Sequence, residues 1–215
     1  MFDLEAAKGR TKPLRIVLLG AHADDVEIGA GGTLLRLLSE RPRTSITSAV
    51  FTGSDARADE ARAAAADLFE DALEVDVLTP GFRDGYLPYH AADVKAWAQE
   101  ALSGLEADLV LTHRRDDAHQ DHRFLSDLAW QLFRGATIVG YEIPKWDGDL
   151  GQPNAYVALE AETLDRKIDV LGRHFSSQHV KRWYDGESFR SLARLRGIEA
   201  GVRYAEGFTC RKLTW

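Results

Sequence analysis

The hydrophobic positions form short apolar runs that alternate along the chain with longer stretches of helical spacing. Five runs have the length and composition of buried strands, namely LRIVLLG (14–20), SITSAVFTG (45–53), VDVLT (75–79), ADLVLTH (107–113) and ATIVGYEI (136–143). The segments between them repeat their apolar residues with the period of a helix or are rich in alanine. This alternation predicts an α/β fold, with a mostly parallel sheet, helices on both faces and right-handed crossovers.

Four helices are predicted between or after these strands. They cover the stretch around Gly31 to Leu38, ADEARAAAADLFEDA (58–72), ADVKAWAQEALSGL (92–105), and a stretch that begins near His122. The chain has no internal repeat, low-complexity tract or linker rich in proline, glycine or serine. We therefore expect a single domain over residues 1–215, with the core sheet in about 14–142 and a C-terminal segment, about 143–215, that helps to wall a pocket.

Charged and imidazole side chains gather directly after two of the predicted strands. GAHADDVEIGAGG (20–32) follows the first strand and HRRDDAHQDHR (113–123) begins at the end of the fourth. If the strand order is 3-2-1-4-5, the first and fourth strands are neighbours, and ligands bind where the order reverses. The two loops then form one site, whose main candidate side chains are His22, Asp24, Asp25, Glu27, His113, His119 and His122.

The acidic residues of the first loop favour a bound cation. Clustered carboxylates repel one another at neutral pH unless a positive charge lies among them. Hydrolytic zinc sites have three His, Asp or Glu ligands, commonly a close pair and a distant third. His22 and Asp25 have the spacing of such a pair, and His122 in the second loop can supply the third ligand.

The glycines of the first loop suggest a dinucleotide-binding turn as an alternative. That turn needs G-x-G-x-x-G, whereas Gly29, Gly31 and Leu34 leave the pattern incomplete. The nearby acids would also repel a pyrophosphate. The metal site is the better interpretation.

Composition narrows the partner. The chain has 215 residues and a net charge of -7, which argues against nucleic-acid or anionic-membrane surfaces because both need a basic patch. A single cysteine, Cys210, excludes an internal disulfide and leaves nitrogen and oxygen to ligate a metal. The start lacks a secretory pattern and no apolar run approaches the ~20 residues of a membrane span, so we expect a cytoplasmic protein with a small polar substrate.

Two motifs resemble a known family. AHADDVEIGAGGTL resembles the signature A-H-P-D-D-x-E-x-x-x-G-G, and DAHQDHR the signature H-x-D-H, of the LmbE-like or PIG-L family of zinc-dependent de-N-acetylases. FRDGYLPY, HFSSQ and YAEGF extend the similarity along nearly the whole chain. The resemblance implies a Rossmann-like fold, removal of acyl groups from N-acylated sugars or sugar conjugates, and a chain that can form a homo-oligomer.

The same resemblance implies roles for individual residues. His22, Asp25 and His122 would be the metal ligands, Asp24 the general base, and His119 the group facing the substrate carbonyl, with Asp121 orienting it. Ala23 and Gln120 stand where the family typically has proline, which removes rigidity but no functional group. Zinc is the expected metal, although a His/Asp/His site also suits ferrous iron.

The residues support this chemistry without the family name. Zinc lowers the pKa of a bound water to about 7. Asp24 is adjacent in sequence to Asp25, so the two side chains diverge and Asp24 is free to take a proton rather than ligate. A donor at His119 would share the negative charge that develops on the carbonyl oxygen, and a hydrogen bond to Asp121 would keep that ring protonated and fixed.

Most of these residues also have a structural interpretation. Asp24, Asp25 or Asp121 alone is most often a helix cap, and Glu27 is about as well explained by capping as by support of the site. His113 is expected to be structural or to support a ligand. Asp116 and Asp117 are expected to be loop charges, although one could support the site.

Substrate contacts are expected from Arg57, Asp84 and Gln178. The alternatives are a solvated charge at a helix start for Arg57, an Asp-Gly turn for Asp84, and ordinary packing for Gln178. The last lies in HFSSQHVKRWYDGESF, a predicted loop in which His174, Trp183 and Tyr184 could wall a sugar pocket. Hydrolysis of a non-sugar amide or a thiol conjugate is the alternative activity, and loss of catalysis on the same fold is a third hypothesis.

Overall fold

A computed structural model, which describes residues 12–212, contains a seven-stranded mixed sheet. The strands are β1 (Leu14–Gly20), β2 (Thr44–Val50), β3 (Glu74–Leu78), β4 (Leu109–His113), β5 (Thr137–Tyr141), β6 (Ala155–Leu159) and β7 (Tyr204–Cys210). Their order is β3-β2-β1-β4-β5-β7-β6. The first five strands are parallel, and β7 pairs antiparallel with both β5 and β6. The predicted fold class and the order 3-2-1-4-5 are confirmed.

Helices cover both faces of the sheet. They are α1 (Asp25–Glu40), α2 (Asp55–Leu68), α3 (Ala91–Leu102), α4 (Gln120–Leu132), α5 (Ala161–His174) and α6 (Gly186–Ala200). Apolar residues of α1, α2 and α5 form one core with the sheet, and those of α3 and α4 form a second core on the opposite face. β1 contributes to both cores because its alternate residues point to opposite faces.

The C-terminal third contributes more to the sheet than the sequence analysis predicted. β6 and β7 extend the sheet beyond β5, although the predicted core sheet ended at about residue 142. Residue Tyr141 of β5 pairs with Phe208 of β7, which is distant in the chain. Because the paired residues are far apart in the chain, the local alternation of strands and helices does not reveal this pairing.

α1 begins six residues earlier than predicted. Glycines lower helix propensity, so the sequence pattern placed the start of this helix too late. In the structure the same glycines permit close packing. Gly29 lies against the ring of Tyr141, and Gly32 lies against Leu159. A Cβ atom at either position would overlap these side chains. The motif glycines therefore bring α1 close to the sheet, and they do not form a phosphate-binding turn.

Gly29→Ala is expected to destabilise the protein. Tyr141 is fully buried and its hydroxyl donates to the carbonyl oxygen of Leu19 at 2.7 Å, so the ring cannot move aside freely. We expect a loss of about 1–3 kcal/mol in the free energy of unfolding, measured by urea denaturation. Gly172→Ala in α5 is the matched control: its Cβ would meet nothing within 4 Å, so this variant should gain about 0.5–1 kcal/mol. Equal stability of Gly29→Ala and the original protein would contradict the packing argument.

A buried ion pair fixes α1 to β7. Lys167 Nζ donates to Glu206 Oε1 at 2.6 Å and to the Ile28 carbonyl at 2.5 Å. Glu206 also accepts the backbone N–H groups of Gly32 and Thr33 at 2.9 and 2.7 Å. These contacts lie along α1 at Ile28, Gly32 and Thr33. Within residues 12–212, no helix has both the length and the apolar character needed to cross a membrane.

Candidate metal centre and active site

The loops after β1 and β4 lie side by side because the two strands are neighbours in the sheet. α1 starts at Asp25 in the first loop, and α4 starts at Gln120 in the second. Two helix N-termini therefore meet at this edge, and each carries partial positive charge that stabilises carboxylates. The predicted convergence of the two loops is what the geometry shows.

Three side-chain atoms point toward one another at the centre of this edge. His22 Nδ1 lies 3.2 Å from Asp25 Oδ2 and 3.2 Å from His122 Nε2, and the latter two atoms are 3.6 Å apart. Ligands about 2.0–2.1 Å from a tetrahedral zinc ion are separated by roughly 3.3 Å. Two imidazoles and one carboxylate at these separations fit a zinc ion and equally a ferrous ion.

His113 offers a second way to complete a group of three ligands, with Asp25 and His122. Its Nε2 lies 3.3 Å from Asp25 Oδ2. However, this nitrogen accepts the N–H of Ala21 at 3.0 Å, so its lone pair is already engaged. The ring stacks on His122 with centroids 3.8 Å apart, which agrees with the expected supporting role.

Asp24 is held by Arg57 and does not cap α1. It occupies the N-cap position, but its side chain accepts no helix amide, and Oδ1 instead accepts from Arg57 at 2.8 Å. Burial, and then the charge of Asp25, raise the pKa of Asp24, and Arg57 opposes this rise. The site thus holds a buried carboxyl whose affinity for a proton is increased.

The Arg57 side chain forms hydrogen bonds within the site and is not a solvated charge. It also donates to Glu60 at 2.7 Å and to the Ser177 hydroxyl at 2.8 Å. Burial alone would lower the pKa of Arg57, but Asp24 and Glu60 outweigh burial and raise it. Arg57 therefore joins α2 to the C-terminal segment beside the candidate base.

Asp84 lies against the outer nitrogen of His22. Its Oδ1 is 3.0 Å from His22 Nε2, so each nitrogen of that ring has a carboxylate neighbour. Burial alone would lower the pKa of His22, but Asp25 and Asp84 outweigh it and raise the pKa to about 10. The contact orients the ring, and Asp84 remains more than half exposed at the mouth of the site.

His119 and Asp121 are arranged differently from the expectation. The Asp121 carboxylate accepts the N–H groups of Gly85 and Leu87 at 2.7 and 3.1 Å, and does not accept a proton from His119. The backbone N–H of Asp121 instead donates to His119 Nδ1 at 3.3 Å, which makes His119 the N-cap of α4. Asp121 is thus neither the N-cap nor the direct partner of the ring, because its carboxylate fixes the loop after β3.

The protonation of His119 also differs from the expectation. Burial, and then the charge of His22, lower the pKa of His119, so the ring is neutral at neutral pH. Because Nδ1 accepts a hydrogen bond, the proton of the neutral ring lies on Nε2. A neutral N–H donor is therefore available at this position.

Asp117 contacts the site, which matches the alternative that one of Asp116 and Asp117 supports it and not the loop charge expected first. Its Oδ2 lies 3.1 Å from His122 Nδ1, on the side of the ring opposite the candidate metal. Its Oδ1 accepts the backbone N–H of His119 at 2.8 Å. The spacing D-x-H-x-D-H was the only sequence feature that pointed to Asp117, and it did not identify the side chain that Asp117 contacts.

Glu27 lies buried beside this centre. Burial chiefly raises the pKa of Glu27 to about 8, and the charges of Asp24 and Asp25 act in the same direction. It lies within the first turn of α1, where a carboxylate is favourable.

The C-terminal segment reaches the site through Gln178. Its Nε2 donates to the Ser177 hydroxyl at 3.0 Å, and Ser177 in turn contacts Arg57. Gln178 Oε1 and Trp183 Nε1 are buried and lack a hydrogen-bond partner within the described residues. Gln178 is therefore two hydrogen bonds from Arg57 and still has an unused acceptor.

His174 and Tyr184 have packing roles. His174 is the last residue of α5, and its Nε2 lies 2.6 Å from Asp67 Oδ2 on α2. Tyr184 is buried and donates to the carbonyl of Leu171 at 3.3 Å. These two contacts fasten the C-terminal segment to the helices beneath it.

Asp67→Asn is expected to lower stability in a pH-dependent manner. The hydrogen bond from His174, and then Arg166, lower the pKa of Asp67 below its value of about 3.9 in an unfolded chain. This contribution, about 1 kcal/mol after screening by solvent, is present above pH 4 and is lost as the pH falls through the folded pKa. Urea denaturation at pH 7 and pH 3 should show the variant weaker at pH 7 and the difference narrowing at pH 3. The exposed Asp71→Asn serves as control, and a difference between Asp67→Asn and the original protein that does not depend on pH would contradict the account.

Comparison with known proteins places the chain. The family model described as PIG-L: GlcNAc-PI de-N-acetylase matches residues 17–133, which is more than half of the chain and includes both loops of the site. The chain belongs to the PIG-L family. The family membership that the two sequence motifs indicated is thus confirmed.

Solved structures share the fold over nearly the whole chain. The N,N'-diacetylchitobiose deacetylase of Pyrococcus horikoshii is 22% identical, with 98% of this chain and 87% of that chain covered and a TM-score of 0.75. The conserved protein TT1542 of Thermus thermophilus is 24% identical, with 94% and 96% covered and a TM-score of 0.72. GalB, the 4-carboxy-2-hydroxymuconate hydratase of Pseudomonas putida KT2440, is 18% identical, with 94% and 98% covered and a TM-score of 0.67. Because the third is a hydratase, the fold alone does not specify deacetylation.

Proposed function

We propose that this protein is a metal-dependent amidohydrolase that removes an acetyl or other acyl group from an N-acylated sugar or sugar conjugate. The observation that carries the proposal is the convergence of His22, Asp25 and His122 beside the buried carboxyl of Asp24. Membership of the PIG-L family supports the reaction class, and a deacetylase of an N-acetylated disaccharide shares the fold.

His22, Asp25 and His122 would hold the metal, with zinc as the expected ion and ferrous iron as the alternative. When bound, the ion supplies a Lewis acid and lowers the pKa of a coordinated water. The burial of Asp25 and His122 limits the access of competing solvent to this centre.

Asp24 is the general base. Its raised pKa brings the carboxyl closer to the range in which it both accepts and releases a proton near neutrality. It takes one proton from the attacking water and returns it to the nitrogen of the leaving amine. The C–N bond breaks to give a free amine and a carboxylic acid, and the acid then loses its proton to solvent to become a carboxylate.

His119 donates to the carbonyl oxygen of the amide as negative charge develops there. Its Nε2–H is available because Nδ1 is occupied by the backbone N–H of Asp121. One such donor is often worth about 3–4 kcal/mol of transition-state stabilisation. Asp121 acts at a distance, since it fixes the loop of Gly85 and Leu87 against the start of α4.

Arg57, Asp84 and Gln178 are the substrate contacts in this proposal. Asp84 is exposed at the mouth and can accept hydrogen bonds from sugar hydroxyls. The carbonyl oxygen of Gln178 is buried without a partner among residues 12–212, so its side chain has to turn toward the substrate to accept a hydrogen bond from it. Arg57 has hydrogen bonds to three side chains and presents a fixed guanidinium beside Asp24.

The test is release of a primary amine from a panel of N-acetylated sugars and their conjugates by zinc-loaded protein. Non-sugar amides and thiol conjugates complete the panel. Amine released from the sugars supports the proposal and identifies the favoured conjugate. Turnover confined to the non-sugar amides or thiol conjugates would contradict the sugar specificity, and no turnover by a metal-loaded protein would contradict the activity.

A further inference from the structure

A buried lysine outside the region matched by the family model connects to one of the candidate metal ligands. We infer that Lys145, in the loop after β5, is a positioning residue that holds His122 in its metal-binding orientation by acting through Asp117. The inference rests on the proposed metal site. It concerns residues 142–154, which neither motif of the sequence includes.

The chain of contacts is short and buried. Lys145 Nζ lies 3.0 Å from Asp117 Oδ1, and Asp117 Oδ2 lies 3.1 Å from His122 Nδ1. The side chains of Asp117 and His122 are 0% and 3% exposed, and that of Lys145 is 7% exposed. Asp117 Oδ2 and His122 Nδ1 are both buried, and neither forms a hydrogen bond with any other group among residues 12–212, so the link between them is the 3.1 Å contact of the carboxylate with the ring nitrogen.

Asp149 fixes Lys145 from the other side. Both of its carboxylate oxygens lie 2.7 Å from Lys145 Nζ. Asp149 Oδ2 also accepts the N–H of Ala118 at 2.7 Å, and Arg114 contacts the same oxygen at 3.2 Å. The lysine is thus held between two carboxylates, one of which reaches His122 and the other the loop that precedes it.

This arrangement determines which nitrogen of His122 is free. An Asp117 carboxylate that accepts the Nδ1–H of the ring leaves the lone pair on Nε2, the atom that faces His22 and Asp25. Without Lys145, Asp117 Oδ1 keeps only the backbone N–H of His119, and its carboxylate can rotate away from the ring. Removal of a carboxylate behind a ligating histidine typically costs about 10–100-fold in metal affinity.

Lys167 provides a matched control. It is also a buried lysine paired with a carboxylate, and its side chain is 5% exposed. Its partner Glu206 contacts the backbone of α1 and no residue of the metal centre. A general effect of removing a buried lysine should therefore appear in Lys167→Met as well, whereas a positioning effect should not.

The experiment measures the Zn²⁺ dissociation constant of the apo-protein by competition with a chromophoric chelator, together with Tm. The variants are Lys145→Met, Asp117→Asn, their double variant and Lys167→Met. We expect Lys145→Met to weaken zinc binding by about 10–100-fold. The double variant should bind no more weakly than Asp117→Asn alone, because both changes interrupt one chain of contacts. Lys167→Met should lower Tm and leave zinc affinity unchanged.

Three results would overturn the inference. The first is a zinc affinity of Lys145→Met within about twofold of that of the original protein. The second is a double variant whose loss of affinity equals the product of the losses in Lys145→Met and Asp117→Asn. The third is a loss of zinc affinity in Lys167→Met equal to that in Lys145→Met. In each case one zinc ion still binds the original protein, so the proposed function stands. Failure of the original protein to bind zinc would instead contradict the proposed function, and the inference with it. If Lys145→Met does not fold, Lys145→Gln, which keeps a donor toward Asp117, should show a smaller loss of affinity in the same direction.

Discussion

Replacing Asp24 by asparagine should lower turnover by about 10²–10⁴-fold while the protein keeps its metal. The change removes the proton-accepting group but leaves an amide oxygen that can still accept from Arg57, which now donates to Asp24 at 2.8 Å. The measurement is kcat for amine release, with metal content determined on the same sample.

Asp116→Asn is the control for this experiment. Asp116 lies in the loop after β4, and its side chain is 74% exposed, so this variant should retain activity. Undiminished turnover by metal-loaded Asp24→Asn would remove Asp24 from the role of base. Loss of metal together with activity would assign it to the metal centre.

Replacing His22 by alanine should have the second large effect, loss of both metal and turnover. His22 Nδ1 is one of the three ligand atoms that converge at the proposed centre, so its removal should weaken metal binding by more than the ~100-fold expected for an outer partner. The side chain is partly exposed, so its removal should leave the fold intact. Metal affinity and circular dichroism measure the two consequences.

His90→Ala distinguishes the loss of a ligand from the loss of any imidazole. His90 is exposed at the start of α3 and lies outside both loops of the site. The His90→Ala variant should bind metal with the affinity of the original protein. Normal metal affinity in His22→Ala would mean that a different group, such as Asp25, His113 and His122, forms the centre.

Short-range patterns predicted the parts of the structure that depend on local sequence. β1, β2, β4 and β5 appear as apolar runs because most of their residues are buried. The edge strand β3 has no fully buried residue, and its valines and leucine alternate with exposed acidic residues. The convergence of the two loops followed from the strand order, since the carboxyl ends of β1 and β4 lie at one edge.

Long-range contacts account for what the sequence did not predict. The pairing of β7 with β5 and β6 requires residues far apart in the chain. The sequence could not distinguish Asp117 from Asp116 as the residue that supports the site, because Lys145, which contacts Asp117, comes from beyond β5. The prediction that Asp121 contacts His119 was wrong for the same reason. The Asp121 carboxylate accepts instead from the amides of Gly85 and Leu87, in a loop after a different strand.

The central claim is that His22, Asp25 and His122 bind one metal ion. Anomalous scattering from a crystal of zinc-loaded protein, recorded on both sides of the zinc absorption edge, tests it most directly. The account predicts one strong peak about 2.0–2.2 Å from His22 Nδ1, Asp25 Oδ2 and His122 Nε2. A peak ligated by His113 in place of His22, or no peak between the two loops, would contradict it.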